Sequence, residues 1–506
     1  MRPLNFLLVS ADQQRGDCLG VEGRRVKTPH LDQFASGGTR FSAAITPCVV
    51  CQPARASILT GLLPRTHGVH DNGIDLDPKT GEKGFAGTLA ANGYDTAFFG
   101  KAHFSTYHTF EATGTPECVK SSSRYGPDWN GPYMGFRHLE IMLVGHNWFT
   151  PERPPRGQHY ERWFYADGRG EEKIEAYRRN AGDTAGAAQT WHSMLPVAWH
   201  NTTWTADRAI EWLRKRRAEP FCAWVSFPDP HHPFDCPEPW SRLHDPAHVD
   251  LPALRRRSFE GRPWWHEHVL TAEPQGPSES VKTRKSYSRI APQSDEQLRE
   301  IIANTYGQVA LIDHNFGRLL IALDEAGLAE NTVVVYFSDH GDWLGDHGLV
   351  LKGPMHYEGL LRVPLLMRGP GVPAGRTLGS PVSTLDLAAT LYDYAEATPL
   401  SGQHGSSLRP LIEEKAVRGY ALNEWELHPG RAGVALSLRT VRTATHKLTL
   451  DLQSGAGELY DLVGDPLESR NIFDGGDAAE VRRDLEKLIL SRPDDMLPVR
   501  DPIGMA

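Results

Sequence analysis

Few cysteines, no long apolar run and no excess of positive charge are the first features of this sequence. Six cysteines in 506 residues are too few for the disulfide scaffold that small secreted proteins use. The apolar runs fall short of the roughly 18 residues that a membrane-spanning helix needs. The first residues, MRPLNFLLVSADQQ, hold too short an apolar stretch for a signal peptide. We therefore expect a cytoplasmic protein without a membrane segment.

The overall charge argues against a general nucleic-acid binder. The formal net charge is -9 and the sequence pI is near 6.2, whereas phosphate binding requires a basic surface. With 40% hydrophobic and 23% charged residues, a chain of this length can bury a large core. We expect a globular protein in which any small anionic substrate depends on local positive charge.

Four apolar runs end at polar, chemically useful residues. Each is typical of a strand buried on both faces, and they cover residues 4–10, 94–99, 221–227 and 332–338. In open α/β sheets, ligands bind outside the carboxyl ends of the strands. The sequence therefore predicts an α/β domain with one crevice where these four strand ends converge.

One long helix should pack on that sheet. Ser294 and Gln297 have capping-box spacing, and apolar residues follow at helical intervals up to Gly327, with a break expected near Gly307. The preceding stretch contains Arg255–Arg257 and the basic segment 275–289, which we interpret as solvated loop.

The pattern changes near the C-terminus to two or three strand-like runs and one amphipathic helix. We expect an α/β domain over residues 1–410 and a smaller α+β subdomain with an antiparallel sheet over residues 411–506.

The stretch VVCQPARASILTG places Cys51 at the start of a predicted helix. Pro53 suits the first helical turn, and a helix N-terminus attracts anions through its free N–H groups and dipole. Cys48 and Cys51 also form a C-x-x-C, which is typical of a redox pair or of half a zinc site. No second C-x-x-C occurs in the sequence, so neither alternative is favoured.

The whole stretch resembles the signature of the type I sulfatases, a family of the alkaline phosphatase superfamily. The signature Cys-x-Pro-x-Arg followed by Thr-Gly corresponds to Cys51, Pro53, Arg55, Thr60 and Gly61. Further similar segments are the strand end at Asp12, GKAHF (100–104), PHHPF (230–234), SDHGDWLGDHG (338–348) with Lys352, RVPLLMRGPG (362–371) and ELYDL (458–462). The resemblance implies a large, mostly parallel sheet sandwiched by helices.

The resemblance implies that a dedicated maturation enzyme oxidises Cys51 to formylglycine. Hydrated formylglycine is a geminal diol. One hydroxyl attacks sulfur, and the other later loses a proton so that the sulfated hemiacetal collapses. The substrate would be a small sulfate ester, and relatives often self-associate into homo-oligomers.

The family pattern also implies one divalent metal ion. Its ligands would be Asp12, Gln13, residue 51, Asp339 and His340, where many members have Asp and Asn at the positions of Gln13 and His340. Calcium prefers an all-oxygen shell, whereas an imidazole favours manganese or another transition metal. We expect Ca²⁺ or Mn²⁺. By itself, Asp339–His340 is also typical of a polar strand end without a metal.

The remaining roles follow from the same resemblance. Arg55 would hold the formylglycine hydroxyl, and Lys101 and Lys352 would bind sulfate oxygens. His103 would take the proton of the second hydroxyl, while His231 would protonate the departing alcohol with help from Lys352. Asp339 would orient or deprotonate the attacking hydroxyl. His232 is an alternative to His231 as the acid that protonates the alcohol. We favour His231 because it matches the histidine of the family's Pro-His-x-Pro pattern.

A rival function comes from the phosphonate monoester hydrolases, which the chain also resembles at Gln13 and His340. Asn72 matches an active-site asparagine of those enzymes, although it also suits an ordinary turn before Gly73. The pair Lys101 and His103 favours sulfate. An alternative from another class is an unconverted, non-catalytic protein that binds sulfated ligands.

The leaving group stays open between a sugar, a phenol, choline and a simple alkyl alcohol. Eleven of the thirteen tryptophans lie between Trp129 and Trp265, and aromatic walls can stack on rings or hold a quaternary ammonium. Trp204 and Trp212 share a helix face and should point to the core. We therefore expect the substrate wall in the segment 148–163, from Trp148 to Trp163, and at His200.

Overall fold

A computed structural model describes residues 3–143, 151–215 and 219–505 of the chain. The strands are β1 Asn5–Ala11, β2 Thr39–Phe41, β3 Ala44–Ile45, β4 Asp95–Lys101, β5 His138–Met142, β6 Phe221–Ser226, β7 Thr332–Ser338, β8 Leu365–Arg368, β9 Arg376–Leu378, β10 Val382–Ser383, β11 Tyr420–Leu427, β12 Leu436–Thr443, β13 His446–Asp451 and β14 Gly457–Asp461.

The α-helices alternate with these strands in the first two thirds of the chain. They are α1 Pro29–Ser36, α2 Cys51–Thr60, α3 Pro64–His67, α4 Pro78–Gly81, α5 Phe85–Ala91, α6 His159–Ala166, α7 Gly170–Arg178, α8 Asn201–Leu213, α9 Trp265–Thr271, α10 Ser278–Tyr287, α11 Asp295–Glu325, α12 Glu358–Leu361, α13 Asp386–Ala395, α14 Arg409–Ile412, α15 Pro429–Ala432 and α16 Ala479–Leu490.

The central sheet has eight strands in the order β5-β4-β6-β1-β7-β8-β2-β9. The five strands from β5 to β7 are mutually parallel, and β8 runs antiparallel to both β7 and β2. The four predicted strands are therefore confirmed, as β1, β4, β6 and β7. They are adjacent and parallel, so their carboxyl ends meet at one edge of the sheet.

Helices cover both faces of this sheet because its strands alternate apolar side chains between them. On one face, Phe6 and Leu8 pack with α2, α5 and α13. On the other face, Leu7 and Val9 pack with α1, α8 and α11. The expected α/β sandwich is confirmed.

A second sheet near the C-terminus is antiparallel, with the order β11-β12-β13-β14. One of its faces packs on α16 through Val441, Leu448 and Leu485. Its other face packs through Trp425 and Leu438 against side chains that follow β7. The predicted α+β region is present, while the boundary at residue 410 stays a prediction.

The long helix α11 runs through Gly307 without interruption, so the expected break is wrong. Ser294 and Gln297 form the predicted capping box. A Cβ on residue 307 would lie 2.6 Å from the Trp240 carbonyl oxygen and 2.9 Å from Cys236 Sγ. The glycine therefore serves close packing rather than a kink. Even with α11, none of the helices in the described ranges offers enough apolar length to cross a membrane.

The basic segment before α11 is also more ordered than expected. Residues Ser278–Tyr287 form α10, and the guanidinium groups of Arg255 and Arg256 pair with Asp295 at 2.9 and 2.7 Å. The interpretation as a loop is wrong for residues 278–287, whereas Arg255–Arg257 lie in a loop as expected, with Arg256 exposed. Asp295 in the first turn of α11 attracts these cations, which a sequence pattern does not reveal.

Replacing Gly307 with alanine tests the close packing of α11. Alanine raises intrinsic helix propensity by about 1 kcal/mol, but its methyl group would collide with backbone at Trp240. We expect Gly307→Ala to lower the free energy of unfolding by about 1–3 kcal/mol, measured by urea denaturation. The exposed substitution Ile321→Ala in the same helix is the control and should change it by less than about 0.5 kcal/mol. A stabilised Gly307→Ala variant would contradict the packing argument.

Candidate active site

The carboxyl ends of β1, β4, β6 and β7 bring most of the predicted site residues together around Cys51. These residues are Asp12, Gln13, Cys51, Arg55, Lys101, His103, His231, Asp339, His340 and Lys352. All are contributed by strand ends, by α2 or by the loop after β7. The predicted convergence on one crevice is therefore present.

Cys51 is the first residue of α2 and is 1% exposed. The Oδ1 atom of Asn72 accepts a hydrogen bond from the Gln52 N–H at 3.0 Å and so holds the start of the helix. This contact gives Asn72 a positioning role next to the reactive residue. Substrate binding by Asn72 stays a prediction.

Positive charge surrounds the sulfur of Cys51. Lys352 Nζ and His340 Nε2 both lie 3.1 Å from Sγ, and Asp12 Oδ1 lies 3.7 Å away. Burial opposes ionisation of this thiol, but Lys352, Lys101 and His340 outweigh burial and hold its pKa well below the ordinary value. The site therefore stabilises an anion at residue 51.

The two buried carboxylates are each held by a cation. Lys101 Nζ donates to Asp12 Oδ2, and Arg55 Nε donates to Asp339 Oδ2 at 2.8 Å. Burial and Cys51 oppose ionisation of Asp12, yet Lys101 and Arg55 lower its pKa. For Asp339, burial and the charge on Asp12 dominate and raise the pKa. The neighbouring cations therefore lower the pKa of Asp12 but do not lower that of Asp339.

Arg55 makes several contacts beside Cys51 that the sequence did not predict. Its Nη1 donates to the Lys101 carbonyl at 2.6 Å and to Ser226 Oγ at 2.8 Å, while its Nε binds Asp339. These contacts tie the ends of β4 and β6 to the metal-ligand candidate Asp339. A hydrogen bond from Arg55 to the group at position 51 stays a prediction.

The donor set of this cluster fits a divalent cation. One ligand atom each from Asp12, Cys51, Asp339 and His340 lies within 4.8 Å of the others. His340 Nδ1 is 2.9 Å from the Gly341 carbonyl, which can only accept, so the free lone pair of Nε2 faces the cluster. Burial and Lys352 act to lower the pKa of His340, but Asp339 and Cys51 raise it overall. The raised pKa indicates that negative charge surrounds the imidazole, and a bound metal ion would neutralise that charge.

Gln13 lies beside this donor set and is held by a residue that the sequence reasoning missed. Its Nε2 donates to Asp342 Oδ2 at 2.6 Å, which turns Oε1 toward Lys352 Nζ at 2.8 Å and the cluster. Asp342 Oδ1 in turn accepts from the Leu344 and Leu351 N–H groups. Asp342 stands in the quoted segment SDHGDWLGDHG, but nothing in its spacing points to Gln13 as its partner.

Two histidines flank the sulfur from different strand ends. His103 lies close to Cys51, and burial lowers its pKa to about 4. His231 Nε2 is 2.9 Å from Lys352 Nζ, and burial and Lys352 lower its pKa well below the usual range. His232 instead directs Nδ1 to Gln189 Oε1 at 2.7 Å. The geometry therefore favours His231 over His232 at the reacting centre.

The residues expected to form the substrate wall make contacts with other parts of the protein. His200 is buried at the N-terminus of α8, where its Nδ1 accepts from the Thr202 N–H at 3.3 Å and lies 3.7 Å from Asp229. Trp163 packs on Tyr160 and Trp204. Trp148 is outside the described residues. The expected core positions of Trp204 and Trp212 are confirmed.

Cys48 shows no sign of the redox or zinc alternatives. All six cysteines lie in the described ranges and are free thiols. Cys48 is buried, and burial raises its pKa well above the ordinary value. The buried donor cluster contains Cys51 but not Cys48. The two thiols therefore have opposite environments.

Comparison with known proteins covers nearly the whole chain. The family model described as "Sulfatase" matches residues 4–397, and the model "N-sulphoglucosamine sulphohydrolase, C-terminal" matches residues 345–494. An arylsulfatase of Clostridium perfringens (strain 13 / Type A) is 28% identical over 511 residues, covering 97% of this chain and 94% of the relative. A choline-sulfatase of Rhizobium meliloti (strain 1021) is 25% identical over 483 residues, covering 92% and 82%.

The structural comparison gives a second kind of relative. A phosphonate monoester hydrolase of Agrobacterium radiobacter superposes with a TM-score of 0.78 at 28% identity, covering 97% of this chain and 95% of that one. The fold alone therefore accommodates more than one ester as substrate.

The contact between Asp342 and Gln13 can be tested with an isosteric change. In Asp342→Asn, Oδ1 can still accept from the two backbone N–H groups, so the new amide NH₂ would face Gln13. We expect the Gln13 amide to turn over and present its own NH₂ to the cluster. Affinity for Mn²⁺ and Ca²⁺, measured by isothermal titration calorimetry, should then fall by about 10–100-fold.

The matched control is Asp346→Asn in the same loop, because Asp346 pairs with Arg15 at 2.9 Å. This control should retain the metal affinity of the unmodified protein. An unchanged dissociation constant in Asp342→Asn would mean that Gln13 is not a metal ligand or is held by other contacts.

Proposed function

The chain belongs to the sulfatase family and is a sulfuric ester hydrolase, and from this premise we propose that it hydrolyses sulfate monoesters through a formylglycine made from Cys51 and one divalent metal ion. The single observation that carries the proposal is the position of Cys51. It is the first residue of a helix, and its sulfur lies between two lysines and two candidate metal ligands.

The modified residue and the metal would supply the nucleophile. Hydrated formylglycine offers a hydroxyl that attacks sulfur, and a divalent ion lowers the pKa of that hydroxyl and neutralises sulfonyl oxygens. Asp12, Gln13, Asp339 and His340 would hold the ion together with residue 51. The position of the Cys51 sulfur marks the place that the hydroxyl oxygens of hydrated formylglycine would occupy. A maturation enzyme that acts on Cys51 is part of this proposal.

Two lysines are placed to bind the sulfate group. Lys352 Nζ lies 3.1 Å from Cys51 Sγ, and Lys101 Nζ approaches from β4 through its contact with Asp12. Both are largely shielded from water, so their attraction to an anion is screened less than at the surface. They would stabilise the charge that builds up on the sulfuryl oxygens.

The histidines divide the proton transfers. His103 is neutral near pH 7 because burial lowers its pKa to about 4, so it can accept the proton of the second hydroxyl. His231 Nδ1 lies 2.6 Å from the His232 carbonyl, and its Nε2 accepts from Lys352. The Lys352–His231 pair therefore holds a proton beside the position that the departing oxygen would occupy.

A phosphonate monoester hydrolase is the second candidate function. The solved enzyme of Agrobacterium radiobacter is 28% identical, and the Gln13 and His340 pattern resembles that group. The proximity of His103 and Lys101 to Cys51 supports sulfate instead. Assignment of the protein to the cytoplasm and self-association into an oligomer remain proposals.

The decisive kinetic comparison uses a sulfate monoester and a phosphonate monoester with the same aryl leaving group. A common leaving group isolates recognition at the reacting centre. We expect kcat/KM to favour sulfate by ~100-fold or more, about 2.7 kcal/mol of transition-state discrimination. A preference for phosphonate would transfer the assignment to the second candidate.

Two controls accompany this comparison. Cys51→Ala should be inactive on both esters. Trypsin should release residues 41–55, FSAAITPCVVCQPAR, in which only Cys48 can be alkylated after conversion. Alkylation of both cysteines, together with sulfate binding but no turnover, would support the non-catalytic alternative.

His231 and its neighbour His232 form a matched pair for testing the general acid. Loss of an acid slows substrates whose leaving alcohol is weakly acidic, whereas 4-nitrophenolate leaves without a proton. We expect His231→Ala to reduce kcat/KM by about 10²–10⁴-fold for alkyl sulfates and much less for 4-nitrophenyl sulfate. His232→Ala, whose ring binds Gln189, should not change this dependence. Equal losses for both substrates would contradict an acid role.

A further inference from the structure

A cavity adjoins the candidate active site on the side of Lys352. The cavity opens to solvent, and both Lys352 and His232 line it. Lys352 reaches Cys51 Sγ at 3.1 Å with the same side chain. The cavity and the candidate active site therefore share Lys352 and lie next to each other.

The wall of this cavity is strongly cationic. Arg257, Arg289 and Arg431 line it in addition to Lys352, and among the described residues no aspartate or glutamate does. The chain as a whole carries a net charge of -9. A second cavity shows the usual balance, because four arginines line it together with four acidic residues that include Asp17 and Asp346. The cavity beside Lys352 therefore carries an excess of positive charge that this second cavity does not.

Two of these arginines donate hydrogen bonds only to backbone carbonyls, and the one carboxylate that acts on Arg289, Glu273, is itself paired with Lys285. Arg289 donates to the carbonyls of Ala272 and Ala432, at 2.6 and 3.2 Å. Arg257 donates to the carbonyls of Ile290 and Gly348, both at 3.3 Å. Carbonyl groups carry no net charge, so they orient the guanidinium groups without neutralising them.

Two further observations indicate that an anion belongs there. Arg257 Nε is buried and lacks a hydrogen-bond partner among the described residues. Burial lowers the pKa of both Arg257 and Arg289, which shows that their charge is held at a cost. A bound anion would offset that cost.

Arg431 differs because it has a carboxylate partner. Its Nη1 lies 3.3 Å from Asp71 Oδ1, and its guanidinium carbon lies 5.4 Å from the centre of the Trp425 ring. Asp71 also accepts from Trp425 Nε1 at 3.1 Å. The carboxylate is thus shared, and Arg431 is fixed at the rim of the cavity.

Apolar side chains form the rest of the wall. Trp343 and Trp425 line the cavity, and the indole N–H groups of both are already bonded to Met355 O and to Asp71. Val269 and Ile290 lie beside them. A cavity with carbon faces and guanidinium groups suits a ring that carries an anionic substituent.

We propose that the alcohol released from the sulfate ester carries a second anionic group, a carboxylate or a further sulfate, that binds to Arg257, Arg289 and Arg431. This inference rests on the proposed sulfatase function and narrows its substrate class. It disfavours choline, because a quaternary ammonium would meet three guanidinium groups of the same charge.

The test uses four phenyl sulfates that differ only in a meta substituent: carboxymethyl, sulfomethyl, the methyl ester of carboxymethyl, and trimethylammoniomethyl. We expect at least one anionic substrate to exceed the neutral ester in kcat/KM by ~10-fold or more, as one charge-assisted contact would give. The cationic substrate should be the poorest. The carboxylate and sulfonate arms show which anion the cavity prefers.

Substitution of the arginines tests the location. In Arg257→Gln and Arg289→Gln the ratio of anionic to neutral kcat/KM should fall toward one, whereas Arg289→Lys should retain part of it. The control is Arg214→Gln, because Arg214 is exposed and pairs with Glu325 at 2.8 Å. This variant should keep the full ratio. Thermal melting checks that each variant is folded.

Salt dependence of the unmodified enzyme provides a measurement that needs no variant. The anionic preference should shrink as NaCl rises from 0.05 to 0.5 M, roughly from a Debye length of 14 to 4 Å. Equal kcat/KM for all four substrates, or a preference for the cation, would overturn this inference alone. Failure of the converted enzyme to hydrolyse any of them would overturn the proposed function and this inference together.

Discussion

The structure depends on keeping a cluster of opposite charges almost completely out of water. Asp12 and Asp339 are no more than 1% exposed, and Arg55 is fully buried between them. An isolated buried carboxylate is costly, so each one requires a cation held in fixed geometry. The parallel arrangement of β1, β4, β6 and β7 meets this requirement, because it delivers residues distant in sequence to one edge of the sheet.

This arrangement explains how the site separates its tasks. Lys101 and Arg55 face the carboxylates, whereas Lys352 stands between the sulfur of Cys51, the histidine ring of His231 and the open cavity. One lysine thus connects the groups that would bind the cleaved sulfate to the groups that would meet the rest of the substrate. Residues around Cys51, which would carry out the reaction, can therefore change without altering residues of the cavity, which would select the substrate.

The sequence predicts whatever is local or follows from the family motif. Residues 332–338 read as a strand from their apolar run and form β7 with the same limits, and the capping box at Ser294 is present. Contacts between distant segments carry no such signal. The pairing of Gln13 with Asp342 joins residues 329 positions apart. The helix α10 forms within a segment that looked polar and unstructured.

The aromatic lining of the cavity beside Lys352 was not predictable from composition for the same reason. The abundance of tryptophan between positions 129 and 265 suggested an aromatic wall there, but the cavity beside Lys352 is lined by Trp343 and Trp425. Both come from outside that region, and one belongs to the C-terminal sheet. Composition shows how many rings a chain has, whereas topology decides which of them face a ligand.

The burial of Cys51 also limits the time during synthesis in which another protein can reach its thiol. The residues that close over the thiol, from Asp339 to Lys352, are encoded about 290 positions after it. At ~5–20 residues per second, a ribosome needs roughly 15 to 60 s to reach them. During that interval residues 339–352 cannot yet cover the thiol, whereas in the folded protein it is 1% exposed. The order of these segments along the chain thus gives any enzyme that must reach the Cys51 side chain a defined period in which to act.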